Sequence, residues 1–254
     1  MSDAPDIVRV RHEIRRRTLR VERVEPLAPR MVRIVFTGAG LQGFTSLGFD
    51  DHVKLFFPGD APGNPAMRDF TPRRYDAAAG ELWIDFHVHT AGPAARWAAQ
   101  AAVGQTLEIA GPKGSSIIPI AGIDTHVLIG DESALPAIGR RLDELPRSSQ
   151  ALVVAEVEPG AELPSLGGGA RADVHWVHRD AAAAPPAQRL IDTLRKLSIP
   201  NDRSFVWIAT ESRAARALRR YFVEERHVDK HWVKAAGYWQ QGKSGAHEPI
   251  VDAA

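Results

Sequence analysis

Arg68, Phe70 and Thr71 stand close together in the stretch Arg68-Asp69-Phe70-Thr71-Pro72-Arg73-Arg74-Tyr75. In extended backbone they supply a fixed guanidinium, a flat ring and a small hydroxyl. A flavin dinucleotide needs all three: the first for its pyrophosphate, the second against its isoalloxazine, the third near the reactive N5. The next informative stretch is Asp85-Phe86-His87-Val88-His89-Thr90-Ala91-Gly92-Pro93-Ala94. Gly92-Pro93-Ala94 leads into a helical patch, so its free backbone amides and the positive end of the helix suit an anion. Gly-Pro is also simply a good helix start. Trp97, one turn in, is suited either to an adenine or to filling the core. His87 and His89 flank Val88 and share a strand face, a spacing that also opens the metal site of many barrel hydrolases. That rival needs further ligands on later strands of a repeated βα chain, which this sequence lacks. No metal is expected.

Two more segments carry chemistry. Gly130-Asp131-Glu132-Ser133-Ala134-Leu135-Pro136-Ala137 reads as a strand-to-helix turn, with Ser133 placed as an N-cap. Ala236-Gly237-Tyr238-Trp239-Gln240-Gln241-Gly242-Lys243 is too apolar for a free tail.

Together the four segments resemble the siderophore-interacting proteins, a branch of the ferredoxin reductase-like flavoproteins. The first resembles the family's Arg-x-Tyr-Ser/Thr motif, with Phe70 where tyrosine is usual. The second resembles its phosphate-binding turn, the third its nucleotide-domain turn, and the fourth its Gly-Tyr-Trp-x-x-Gly signature. The resemblance implies FAD held by Arg68, Phe70, Thr71, His87, His89, Gly92, Pro93, Ala94 and Trp97. It implies a nicotinamide nucleotide, NADH or NADPH, facing Gly130, Asp131, Glu132 and Ser133. Two carboxylates in that turn would repel a pyrophosphate, so reduced ferredoxin is the alternative donor. Lys54, Lys234, Trp239 and Lys243 are the implied contacts for an anionic ferric siderophore. Gln240 replaces the arginine usual after the Tyr-Trp pair.

Composition sets the outer limits. The chain has 254 residues, 44% hydrophobic and 25% charged, enough for a real core and two modest domains. No apolar run reaches membrane-spanning length, and the start lacks the order of a signal peptide, so a cytoplasmic address is expected. Zero cysteines excludes disulfides and cysteine-ligated clusters within the sequence, leaving redox chemistry to an organic cofactor. A net charge of +1 gives no global field for nucleic acid or anionic lipid. The cluster Arg9, Arg11, Arg15, Arg16 and Arg17 lacks interleaved aromatics and reads as a solvated edge. Arg213, Arg216, Arg219 and Arg220 fall on one predicted helix and suit a phosphate anchor, a docking face or plain solvent exposure.

These groups need a scaffold. Residues 19–24, 31–37, 52–57, 82–88 and 106–109 alternate in the manner of half-buried strands, with one helical patch at 96–102. From about residue 121, apolar runs at 126–129, 151–157, 174–177 and 204–209 are interspersed with helical segments at 134–145, 187–197 and 213–225. The expected fold is an N-terminal antiparallel flavin-binding β-barrel over 1–120 followed by a parallel-sheet α/β nucleotide domain over 121–235. Residues 236–254 are expected to fold back near the flavin. The expected activity is FAD-dependent reduction of a ferric siderophore. A general flavin or ferredoxin reductase of the same fold and a non-catalytic ferric-chelate binder are the alternatives.

Overall fold

The computed structural model describes residues 4–61, 64–88, 92–161, 163, 165–168, 170–179, 184–185, 187–200, 202–243, 245 and 247–250. The chain forms two units, one built on Ile7–Ile118 and the other on Pro119–Ala161 and the residues from Leu166 onward.

In the first unit, strands β1 (Val8–Arg11), β2 (Arg16–Ala28), β3 (Met31–Thr37), β4 (Val53–Ala61), β5 (Asn64–Phe70), β6 (Arg74–Asp76) and β7 (Glu81–His87) precede helix α1 (Pro93–Ala99). Strands β8 (Thr106–Ala110) and β9 (Gly114–Ile117) follow. Seven strands form one antiparallel sheet in the order β5-β4-β8-β2-β3-β7-β6, and β1 pairs with β9 in a separate ribbon. The expected barrel is therefore a barrel-like antiparallel sheet with edges at β5 and β6; among the described residues no pairing closes it. Alternation fixes the inner face: Leu19, Val21, Ile34, Phe36, Val53, Leu55, Phe57, Leu82, Ile84 and Phe86 are fully or almost fully buried in one core. The helix follows a turn that only glycine adopts easily, Gly92 having φ 100°, and Pro93 suits the first helical position because its missing N–H would be unpaired anyway.

The second unit holds β10 (Thr125–Asp131), α2 (Leu135–Glu144), β11 (Gln150–Val157), β12 (Arg171–His178), α3 (Gln188–Lys196), β13 (Ser204–Glu211), α4 (Ser212–Arg220), β14 (Val233–Trp239) and β15 (Glu248–Ile250). Its sheet runs β12-β11-β10-β13-β14-β15, parallel except for the antiparallel β15. Near-continuous apolar runs such as Val127-Leu128-Ile129 and Val153-Val154-Ala155 are buried on both faces, as a helix-covered parallel sheet requires. The strand order reverses between β10 and β13. In open α/β sheets a ligand crevice lies outside the carboxyl ends of the strands at such a switch point. Here that point is formed by Asp131 and Thr210, whose side chains are joined by a 2.8 Å hydrogen bond.

Candidate functional site

Arg68 and Phe70 lie on β5, on the same face of the strand, paired with Leu55 and Val53 of β4. The Arg68 guanidinium donates to the carbonyl of Met67 at 2.8 Å, and among the described residues it meets no carboxylate. Most of its donors are free for an anion. The half-buried Phe70 ring packs on Phe86, centroids 4.5 Å apart, and lies edge-on to Phe57 at 5.9 Å. Thr71 follows, buried. The segment is then held by a feature that sequence reading missed: Arg33 grips Asp85 through two bonds of 2.7 and 2.8 Å, and the buried Arg73 lies 3.9 Å from the same carboxylate. The Arg73 amide also donates to the Trp83 carbonyl at 2.9 Å. The only sequence signal was Asp85, a carboxylate in a strand rich in Leu, Trp, Ile and Phe.

Trp97 resolves toward the core. Its ring is 8% exposed and stacks on Phe36 at 6.2 Å, with Phe57 and Phe86 at 5.7 and 5.9 Å. His87 ends β7 opposite Met31, half-buried. His89 lies outside the described residues. Lys54 shares a sheet face with Asp69, the face opposite to that of Arg68 and Phe70, and both Asp69 oxygens accept from its ammonium at 2.9 Å. Its charge is thus largely cancelled.

Phe70→Tyr should be tolerated, with FAD affinity equal or better, because the ring contacts with Phe86 and Phe57 are kept. Flavin titration measures it, and a large loss of affinity would mean that the ring's outer edge faces packed protein and not the cofactor.

In the second unit the turn after β10 is tightly built. A Cβ on Gly130 would overlap Ala134 and the Ala209 carbonyl, so only glycine lets α2 start so close to the sheet. Asp131 is 2% exposed and fully engaged. One oxygen accepts from the Ser133 amide at 2.9 Å and from the Ser133 hydroxyl; the other accepts from Thr210 and from the Trp239 indole, both at 2.8 Å. Ser133 is therefore not the helix cap expected of it: its hydroxyl is drawn back to Asp131, and Ala134 occupies the cap without a side-chain bond. Glu132 accepts from Arg179 and, at 2.7 Å, from the Glu158 amide. Burial opposes the Arg179 charge, but bonding to Glu132 and the fields of Glu132, Asp131 and Glu156 together raise its pKa above the ordinary guanidinium value. Arg189 holds Glu156 at 2.8 Å. The two carboxylates that would repel a pyrophosphate are thus turned inward or neutralised.

Trp239 ends β14, 40% exposed. The turn beyond it is closed by a 3.0 Å bond from the Lys243 amide to the Gln240 carbonyl, with Gly242 at φ 79°. Lys243 is exposed and, among the described residues, its ammonium has no partner. Lys234 is half-buried opposite Trp207. On α4, Arg219 is buried and donates to the Val233 carbonyl at 2.6 Å, whereas Arg213, Arg216 and Arg220 are exposed. Among the described residues no group of three His, Asp or Glu side chains could hold a metal ion, and no helix is long and apolar enough to cross a membrane.

Comparison with known proteins covers both units. Residues 20–66 and 60–116 match the sequence model of the siderophore-interacting FAD-binding domain, and residues 123–242 that of the siderophore-interacting protein. The chain is 36% identical over 252 residues to the NADPH-dependent ferric-chelate reductase of Escherichia coli K12, covering 91% of this chain and 95% of that one. It is 29% identical to the ferric vibriobactin reductase ViuB of Vibrio cholerae, covering 88% and 93%. Among solved structures, a siderophore utilization protein from T. fusca superposes with a TM-score of 0.86 at 35% identity, covering 95% of this chain and 98% of that one. The siderophore-interacting protein SipS from Aeromonas hydrophila gives 0.75 at 26%, covering 91% and 93%.

Proposed function

The chain belongs to the siderophore-interacting protein family, and from that premise we propose that it is a cytoplasmic FAD-dependent reductase of ferric siderophores drawing electrons from NADH or NADPH. The reading is carried by the match, over nearly the whole chain, to a reductase that acts on ferric chelates, joined to an FAD-binding domain in which Arg68 has free donors. The residues suit the cofactor. Arg68 would hold the pyrophosphate, aided by His89 and by the Gly92-Pro93-Ala94 turn, with Phe70 and Thr71 at the ring and His87 beside it. Trp97 would act from behind, as packing under α1. Bound there, FAD would couple a two-electron hydride donor to the one-electron chemistry of ferric iron.

The protein's own tasks are positioning and attraction. Gly130 and Ser133, at the switch point of the second sheet, would receive the nicotinamide nucleotide, while Asp131 and Glu132 keep their charges inside. Residues 236–243 would meet the substrate. Ferric iron is held by hard oxygen ligands far more tightly than ferrous iron, so reduction itself loosens the complex and no acid, base or nucleophile is required. Of the lysines implied for the substrate, Lys243 is available to attract an anionic chelate, whereas Lys54 is already bound to Asp69. Lys234 stands near the start of β14, five residues before Trp239 and toward the other end of the strand.

The purified protein should be yellow, oxidise NADH or NADPH in the presence of a ferric chelate, and release Fe(II) to a chromogenic trap. Protein that is colourless and takes up no added FAD would overturn the reading, and donor oxidation indifferent to ferric chelate would make it a general flavin reductase. Lys243→Ala should raise KM for a trianionic ferric tris(catecholate) by roughly three- to fivefold and flatten its salt dependence, as expected for an exposed charge screened over about 8 Å. Lys54→Ala changes the net charge by the same single unit, because it leaves the Asp69 carboxylate uncompensated, and should also raise KM for the anionic chelate. Gln240→Arg should tighten the anionic chelate more than a neutral tris(hydroxamate). Equal changes for both chelates would mean that these positions serve packing.

A further inference from the structure

Trp239 combines two properties: it is one of the exposed large apolar side chains among the described residues, yet it is fixed. Three contacts fix it. Its indole N–H donates to Asp131 at 2.8 Å, its carbonyl accepts from the Ser212 hydroxyl at 3.2 Å, and the ladder with β13 slips beside it. Thr210 pairs with Gly237 while Glu211 pairs with Trp239, so Tyr238 is the extra residue of a bulge, a device that re-aims neighbouring side chains. Tyr238 turns its edge to the buried Trp207 at 6.0 Å. Gly237 makes this course possible, since a Cβ there would overlap the Ser212 hydroxyl and come within 3.0 Å of its Cα.

Asp131 is built for the same purpose. It is a buried carboxylate whose hydrogen-bond partners, Ser133, Thr210 and Trp239, are all neutral donors. Burying a charge this way is costly unless its lone pairs are filled, and here the Ser133 amide and hydroxyl, Thr210 and Trp239 fill them. A neutral side chain would satisfy Thr210 and the turn at less expense. The ionised form gives a stronger, more directional grip on an exposed indole that would otherwise sample several rotamers.

We propose that Asp131 is a positioning residue that holds Trp239 as a preset flat platform at the carboxyl edge of the second sheet, against which the apolar ligand shell of the ferric chelate packs. This rests on the reductase reading for the identity of the ligand, but not for the fixing of the ring. Removing the charge or the indole N–H releases the platform, and the chelate must then order it on binding.

The test is a double-variant cycle on the full FAD-loaded chain with Asp131→Asn, Trp239→Phe and both together, using ferric tris(catecholate) as the probe. Each single variant should raise KM for the chelate about 5- to 10-fold, the effect of losing one charge-assisted bond, with the smaller effect on kcat. The double variant should be no worse than the worse single one. Multiplicative losses, or a loss in the rate of flavin reduction by the donor equal to that in chelate KM, would overturn the proposal.

A second readout needs neither cofactor nor turnover. In the apoprotein, the Trp239 contribution to time-resolved fluorescence anisotropy is obtained by subtracting the matching Trp239→Phe variant. It should follow overall tumbling in the wild-type background and gain a fast component in the Asp131→Asn background. A mobile indole in the wild type, or an equally rigid one without the carboxylate, also sinks the idea. If no variant reduces any chelate while the anisotropy behaves as expected, the reductase reading fails and the positioning of Trp239 stands.

Discussion

Arg68→Ala should release FAD, weakening its binding by about 10- to 100-fold, while the flavin-free protein stays as stable as the parent. The size follows from the loss of a charge-assisted hydrogen bond to an anion, about 1.5–3 kcal/mol. The absence of a folding effect follows from the structure: the guanidinium bonds to the carbonyl of its own neighbour Met67, so its removal leaves no buried partner unsatisfied. Arg68→Lys should fall between, because a point charge replaces a planar fork. Flavin fluorescence on titration gives the affinity and thermal unfolding of the apoprotein gives the control. Retention of FAD at parental affinity by Arg68→Ala would remove the pyrophosphate assignment, and loss of apoprotein stability would move Arg68 from binding to folding.

The proposed pyrophosphate role of Arg68 rests on residue type and spacing, which are visible in the sequence. Residues 31–37 were likewise legible to the residue, and the helices of the second unit to within a few positions, since apolar periodicity is a local signal. Other elements were hidden. Asn64-Pro65-Ala66-Met67 shows no alternation, and it becomes β5 because β4 offers it an edge. Val233–Trp239 shows no strand alternation; Tyr238 and Trp239 mark it as too apolar for a free tail, but only the sheet shows it seated between β13 and β15. Barrel closure was legible least of all, because it depends on stagger summed over every strand pair and alternation reports only which side is buried.

At the site the divide is the same. Gly130, Asp131 and Glu132 stood out by type, but the partner that neutralises Glu132 is Arg179, 47 residues away. A carboxylate therefore looked repulsive to a nucleotide when it is already paired. Lys54 looked like a free base until β4 and β5 were aligned and Asp69 appeared opposite it. Trp97 could equally have met an adenine or a core, and only the positions of Phe36, Phe57 and Phe86 decide for the core. Residue types reveal what a group can do, whereas its availability depends on non-local pairing.

His126 shows the same gap between type and surroundings, with the larger consequence for stability. It lies near the start of β10, 1% exposed, and among the described residues neither ring nitrogen has a hydrogen-bond partner. Burial first, and the nearby Arg141 charge second, lower its pKa from the ordinary 6.5 to about 3. The native state therefore keeps it neutral while the unfolded chain protonates it below about pH 6.5. Stability attached to this group is complete above that value and is lost as pH falls toward 3. Between pH 7 and pH 5 the loss is about 2 kcal/mol, from roughly 1.5 pH units at about 1.36 kcal/mol each. His126→Leu, close in volume and without a proton to gain, should abolish that share of the acid sensitivity. It should also stabilise the second unit at pH 7 by roughly 1–3 kcal/mol, because two buried unpaired nitrogens are removed. Urea unfolding of both proteins at pH 7 and pH 5 measures the difference. If the two stability curves stay parallel between those values, the imidazole takes up its proton equally in the native and unfolded states, and burial does not lower its pKa.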